Sequence, residues 1–118
     1  ILYTDYFLSK TIRLLKQNDG RFETAMIYMS DHGESLGEKG LYLHGIPYFI
    51  APDEQTHIAA LLWLGDHFKT QRQLLKRKVH REYSHENLFH TVLGLLEINT
   101  SLYDKRKDII NSNESALK

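Results

Sequence analysis

The chain has no cysteine, which excludes a disulfide framework and thiolate metal ligands but leaves the compartment open. It has no charge of one sign to spare, because fifteen Lys and Arg face fifteen Asp and Glu. Global charge therefore argues for no polyanionic partner, and any electrostatic attraction has to be local. Zero net charge, with no aromatics interleaved among the basic residues, also speaks against nucleic-acid binding. Long apolar runs are missing too. "IAALLWL" falls far short of the roughly 20 residues of a membrane helix, and no signal-peptide pattern is found. There is no internal repeat and no low-complexity tract. The chain lacks an initiator Met and opens on "ILYTDYFLSKTIRLLK", already in a helical pattern, so it reads as a piece of a longer protein.

What is present is enough for a core. Of 118 residues, 42% are hydrophobic and 11% aromatic, so the chain is one domain or part of one and a disordered reading fails. Ile1, Leu8, Ile12 and Leu15 recur at helical spacing over residues 1–17, and "QNDG" supplies a stop, with Asn18 and Gly20 placed for a left-handed turn. The continuous apolar runs "TAMIYM" (24–29) and "HIAALLWL" (57–64) predict central strands, the first of them parallel and covered on both faces. Residues 30–56, punctuated by glycine and both prolines, predict a long functional loop. Residues 66–82 are basic and partly helical. Ser84 then caps a helix carrying Leu88, Val92, Leu95 and Leu96. From Tyr103 the sequence is polar, anchored by Ile109 and Ile110, with frayed final residues. The order helix, strand, loop, strand, helix, helix suits an α/β layer fold.

The chemistry concentrates in "YMSDHGESLGEKGLYLHG" (28–45), which leaves an apolar run and at once presents Asp31, His32, Glu34, Glu38 and His44. Ligands of open α/β sheets bind beyond the carboxyl ends of strands, where Asp31 and His32 would sit. An adjacent Asp and His offer one cation a carboxylate oxygen and a neutral imidazole nitrogen, donors that Zn²⁺ accepts at about 2.0–2.2 Å. Gly33 lets the backbone turn away so that both side chains converge. The plain alternative is that Asp31 caps a turn and His32 is a surface residue, and two ligands do not close a four-coordinate site. Glu34 and Glu38 are candidates to orient His32, or else solvated carboxylates capping nearby backbone.

Taken with "PYFIAPDEQTHIAALLWL" and "YSHENLFHTVLGLLEI", the motif "SDHGESLGEKGLYLHG" resembles the phosphoethanolamine transferases of the alkaline phosphatase and sulfatase superfamily. The likeness implies an α/β fold with an alkaline-phosphatase/sulfatase-like core sheet flanked by helices, present as a C-terminal fragment. Residues 1–102 would form the C-terminal part of the transferase domain and 103–118 a polar tail. It implies that Asp31 and His32 ligate a catalytic Zn²⁺, and that His44 is catalytic, contacting the phosphoryl group or a second metal ion. It places a Glu ligand and a Thr nucleophile before this chain begins; neither Thr4 nor Thr11 has the family context, so this chain holds no nucleophile. The implied reaction carries phosphoethanolamine from phosphatidylethanolamine, through a covalent Thr intermediate, to a hydroxyl of lipid A or a core sugar of lipopolysaccharide. The implied location is the bacterial inner membrane, reached through a missing N-terminal domain, with the catalytic domain in the periplasm. The family usually has Pro where this chain has Ala59. Two other readings stand beside it: a sulfatase or phosphodiesterase of the same superfamily, distinguished by its upstream nucleophile, and a non-catalytic module whose Asp31–His32 pair holds no metal.

The remaining candidates are weaker. His57 reads as an edge histidine, and His85 and His90, five apart, do not share the helical face that a metal site needs. "KTQRQLLKRKVHRE" is either a surface for anionic lipid headgroups or, the favoured reading, a solvated amphipathic helix buried through Phe68, Leu75 and Val79. Tyr3, Tyr6, Phe7, Tyr48 and Phe49 suit a lipid cleft and ordinary packing equally.

Overall fold

The structure, a computed structural model, describes residues 1–112. The expected fraying of the last residues lies outside them. The fold is mixed α/β and divides into two units, Ile1–Gly65 and Asp66–Lys118. Among the described residues no helix is long and apolar enough to cross a membrane.

In the first unit, helix α1 (Leu2–Asn18) forms where the apolar spacing predicts it. Its less exposed stripe runs through Thr4, Leu8, Thr11, Ile12 and Leu15, positions that recur every three or four residues. Ile1 lies outside the stripe and is fully exposed. The helix does not end in a left-handed turn: Asp19 stays right-handed, with φ −64°. The Asn18 amide donates to the Leu14 carbonyl at 2.9 Å, and the Asn18 carbonyl accepts the Arg21 and Phe22 N–H groups, so the end is closed without glycine geometry.

Strand β1 (Ala25–Met29) pairs with a second strand, Ala60–Leu64, in the register Ala25↔Leu64 to Met29↔Ala60. The pairing is antiparallel, which corrects the parallel expectation. A parallel return needs a crossover, usually a helix, to carry the chain back along the strand. The longest helix in residues 30–59 has four residues, and the segment brings the chain back at the strand end it left. β1 is half-buried along its length rather than covered on both faces, and the second strand begins at Ala60 rather than His57. Between the strands lie β2 (Ser35–Leu36), β3 (Tyr42–Leu43) and α2 (Asp53–Thr56); the closing strand is β4 (Ala60–Leu64).

The second unit holds α3 (Lys69–Lys76) and α4 (Glu86–Leu95), with Phe68, Ile109 and Ile110 as its buried apolar side chains. Ile109 and Ile110 anchor the segment as the sequence predicts. Phe68 is buried and Leu75 half-buried, but Val79 is 65% exposed and Lys78 takes the inward place at 3%. Helical spacing fails there because α3 ends at Lys76 and the chain turns, with the Lys78 N–H on the Leu75 carbonyl. Burying an ammonium is tolerable only when its donors are satisfied. Lys78 Nζ donates to the carbonyls of Ile109 (3.2 Å), Ile110 (2.8 Å) and Ser112 (2.7 Å).

Ser84 does not cap α4 through its hydroxyl. Instead Asn87 Oδ1 accepts the Ser84 N–H at 2.8 Å, the returning half of a capping box. Val92 and Leu96 face outward, while Leu88, Thr91 and Leu95 form the inner face. Thr91 Oγ1 accepts the Ile109 N–H at 3.0 Å, and the fully buried Asp108 carboxylate accepts the N–H groups of Ile110 (2.7 Å) and Asn111 (3.0 Å). Tyr103 donates to the same carboxylate at 2.7 Å. Gly94 admits it, since any Cβ there would collide with Asp108 Oδ2.

Two stability predictions follow from these contacts. Lys78→Met leaves three buried carbonyls without their donor, and urea unfolding of the variant should show a loss of about 2–4 kcal/mol. The Tyr103 phenol, desolvated and beside Asp108, is pushed from 10.0 up to about 12. The folded state therefore holds that proton more tightly than the unfolded chain. Its stabilisation is full below the unfolded value near 10 and is lost as pH rises through about 12. Tyr103→Phe should flatten that alkaline limb in a series of melts across this pH range.

Candidate functional site

The site starts where β1 ends. The Ser30 N–H donates to the Ala59 carbonyl at 3.2 Å, extending the ladder by one residue and fixing where Asp31 begins. Gly33 then passes directly against α2. Its N–H donates to the Gln55 carbonyl at 3.0 Å, and any Cβ at Gly33 would run into the Glu54 carbonyl oxygen. The glycine is needed for close backbone approach; it is not among the residues with positive φ. Two residues on, the buried Ser35 hydroxyl accepts the buried Gln55 amide at 2.9 Å. Backbone and side chain of one residue, Gln55, thus hold the turn that carries Asp31 and His32.

This anchoring sets the two side chains. Asp31 Oδ1 accepts the His32 N–H at 3.1 Å, and its Oδ2 lies 3.8 Å from His32 Nε2. His32 Nδ1 is 2.9 Å from the Gly33 carbonyl oxygen. A carbonyl only accepts, so Nδ1 carries a proton, and Nε2 lies on the side of Asp31. Metal-ligating histidines are commonly fixed in this way.

The hairpin of β2 and β3 adds a second pair. Its register is Ser35↔Leu43 and Leu36↔Tyr42, so the next positions outward, Glu34 and His44, face each other. Glu34 Oε2 lies 3.0 Å from His44 Nδ1. The turn runs through positive φ at Gly37, Lys39 and Gly40, and Leu43 and Gly45 repeat it on either side of His44. Leucine at φ 68° is strained, and such strain gathers where function fixes geometry. The His44 ring lies 3.9 Å, centroid to centroid, from the His32 ring. One ligating atom each from His32, Glu34 and His44 falls within a 4.8 Å cluster.

The candidates therefore separate. His32, Glu34 and His44 converge and Asp31 stands beside His32, all of them solvent-accessible. Glu34 partners His44 rather than His32. Glu38 leaves the site: its Oε2 accepts the Leu36 N–H at 2.7 Å, and backbone donors, its own N–H first and then that of Leu36, hold its carboxyl below the usual range. It braces the hairpin turn. His57 stands exposed at the end of α2, and His90 Nδ1 accepts the Asp104 N–H at 3.0 Å, a structural task. The Glu34–His44 pair and the role of Gln55 are not apparent from spacing. The one sequence signal for the pair is "GEKG", a turn that closes a hairpin around Glu34 and His44.

The donor set fits zinc. One oxygen and two nitrogen donors, from Glu34, His32 and His44, cluster, and Asp31 adds a carboxylate beside His32 Nε2. Zinc bonds of about 2.0–2.2 Å place neighbouring ligand atoms of a tetrahedron about 3.4 Å apart, close to the 3.8 Å between Asp31 Oδ2 and His32 Nε2.

Comparison with known proteins defines the class. The sulfatase family model matches residues 1–98, and the chain belongs to that family. Within it, the relatives are phosphoethanolamine transferases. The chain is 47% identical over 115 residues to the phosphoethanolamine transferase EptA of Salmonella typhimurium, covering 93% of this chain and 21% of that protein. It superposes with TM-score 0.86 and 46% identity on the C-terminal periplasmic domain of phosphoethanolamine transferase EptC from Campylobacter jejuni, covering 95% of this chain and 37% of that one. Against the integral membrane protein lipooligosaccharide phosphoethanolamine transferase A (EptA) from Neisseria meningitidis, TM-score is 0.85 at 46% identity, over 93% and 22% of the two chains. The chain thus spans about a fifth of the length of the EptA proteins it matches.

Gly33→Ala tests how the site is held. The added Cβ forces the turn away from α2, at a cost of about 1–3 kcal/mol. Zinc affinity, read by competition with a chromophoric chelator, should fall with it, whereas Gly20→Ala, which meets open space, should leave both unchanged.

Proposed function

We propose that this chain contributes part of the zinc site of a phosphoethanolamine transferase that modifies lipopolysaccharide. The donor would be phosphatidylethanolamine and the acceptor a hydroxyl on lipid A or a core sugar. The observation that carries the reading is the cluster of His32, Glu34 and His44, with Asp31 beside His32 Nε2 and His32 Nδ1 turned to the Gly33 carbonyl. The supporting relatives are transferases acting with phosphoethanolamine, one on lipooligosaccharide and one described as a periplasmic domain. By that relationship the catalytic domain faces the periplasm, in a protein anchored in the inner membrane.

Asp31 and His32 would hold the zinc, which supplies Lewis acidity that favours the alkoxide of a nucleophile and neutralises phosphoryl oxygens. The nucleophile is a Thr hydroxyl contributed from outside this chain. Thr11 is not a candidate, since its hydroxyl donates to the Phe7 carbonyl at 3.1 Å within α1. Displacement of diacylglycerol by that Thr gives a phosphoethanolamine ester, and the acceptor hydroxyl then displaces the Thr.

His44 is set by Glu34. A carboxylate can only accept, so Nδ1 carries the proton and the far nitrogen, Nε2, is presented outward. From there it takes a proton from an incoming hydroxyl or, once protonated, donates to a phosphoryl oxygen. Glu34 orients the ring for either task.

The test uses the full-length protein. Asp31→Ala and His32→Ala should each remove zinc and lower transfer from a labelled phosphatidylethanolamine by at least about a hundredfold, the scale on which single electrostatic contributors act. Glu34→Gln should cost activity about tenfold or more. Full zinc content and full transfer in the Asp31 and His32 variants would refute the assignment.

A further inference from the structure

The end of α4 carries a motif that the metal chemistry does not use. Residues 97–101 read Glu-Ile-Asn-Thr-Ser, and Asn99-Thr100-Ser101 within them is an Asn-x-Ser acceptor sequence for N-linked glycans. Motifs this short arise by chance, but bacterial acceptors carry a second requirement, an acidic residue two places before the asparagine. Glu97 fills that place. The chain's other Asn-x-Ser, Asn113-Glu114-Ser115, has Asn111 there instead.

The local fold presents the motif to solvent. Helix α4 closes in a Schellman motif, with the Ile98 N–H on the Leu93 carbonyl at 3.0 Å and the Glu97 N–H on the Gly94 carbonyl at 3.3 Å. Glu97 takes the left-handed position of that motif, φ 53°, where glycine would be free of strain. A strained backbone at a residue whose side chain is fully polar fits a use for that side chain. Beyond it a second turn opens at Thr100. Its carbonyl accepts the Tyr103 N–H at 3.1 Å, and its hydroxyl accepts the Leu102 N–H at 3.4 Å. Asn99 stands between these two closures, in neither helix nor strand. Glu97, Asn99 and Ser101 are all exposed. Among the described residues, neither Asn99 nor Ser101 makes a hydrogen bond. That freedom matters chemically. The lone pair of an amide nitrogen is delocalised into its carbonyl, so an enzyme has to grip and reorient the amide before it can attack.

We infer that Asn99 is an acceptor for an N-linked oligosaccharide, recognised through Glu97 and Ser101. The inference rests on the periplasmic placement proposed above and is independent of the metal site. The co-substrate is an oligosaccharide carried on a polyprenyl pyrophosphate. Asn99 Nδ2 bonds to the anomeric carbon of the first sugar as the bond from that carbon to the pyrophosphate oxygen breaks. The polyprenyl pyrophosphate leaves, and Nδ2 releases one proton to a base of the enzyme.

The test mixes the purified full-length protein with a bacterial oligosaccharyltransferase and a polyprenyl-pyrophosphate oligosaccharide, and reads the tryptic peptide 82–105 by mass spectrometry. That peptide should gain the mass of one oligosaccharide. Asn99→Gln and Ser101→Ala should abolish the gain, and Glu97→Gln should slow it about tenfold or more, the scale of one lost charge-assisted bond. The three positions are exposed, so the variants should melt with the parent. A wild-type peptide that stays unmodified, or a mass gain that persists in Asn99→Gln, would overturn the proposal. No membrane separates the reactants, so either result is independent of where the domain lies in the cell. Proteolysis of intact spheroplasts decides that placement separately.

Discussion

The candidate site depends on a backbone contact that only glycine permits. Gly33 lies so close to α2 that its N–H reaches the Gln55 carbonyl and no side chain fits between them. Gln55 adds a second hold through Ser35, one residue before the hairpin turns. With both ends fixed, the turn after β1 has little freedom. Asp31 and His32 emerge at the strand end, and the hairpin register brings Glu34 and His44 back beside them. The geometry is assembled by main-chain bonds, while the side chains that do chemistry remain exposed. Preorganisation of this kind lets a solvent-accessible cluster hold a defined shape before any ligand arrives.

The second unit solves another problem with similar means. Few of its apolar side chains are buried, yet it orders a segment rich in charge. Two ionisable groups do that work. Asp108 gathers N–H and O–H donors, Lys78 gathers carbonyls, and both act on residues 103–112. Each is nearly or fully removed from solvent, which is stable only because its hydrogen-bonding capacity is met.

Much of this was legible in the sequence, and the failures have physical causes. The first helix, the strand before Asp31, the long loop and the nearness of His32 to Asp31 and His44 follow from spacing and from family resemblance. Strand direction did not, because a continuous apolar run carries no sign of orientation. It is decided by what lies between the strands, and residues 30–59 fold back instead of crossing over. Val79 and Lys78 exchanged their expected places because periodicity assumes that a helix continues past its last turn. Glu38, read either as orienting His32 or as capping nearby backbone, accepts a backbone N–H two residues away. Gln55 carried no signal, since an amide on a four-residue helix matters only once the loop has closed on it.

The central claim is that the strand-end turn and the hairpin form one donor set for a metal, with His32 held as the Nδ1–H tautomer. Long-range ¹H–¹⁵N spectra of the histidine rings, recorded on the chain before and after adding one equivalent of zinc, test it directly. The metal-free protein should show His32 protonated at Nδ1, and zinc should move its Nε2 resonance in slow exchange while His57 and His90 stay unchanged. A His32 protonated at Nε2, with ring resonances indifferent to zinc, would contradict the account.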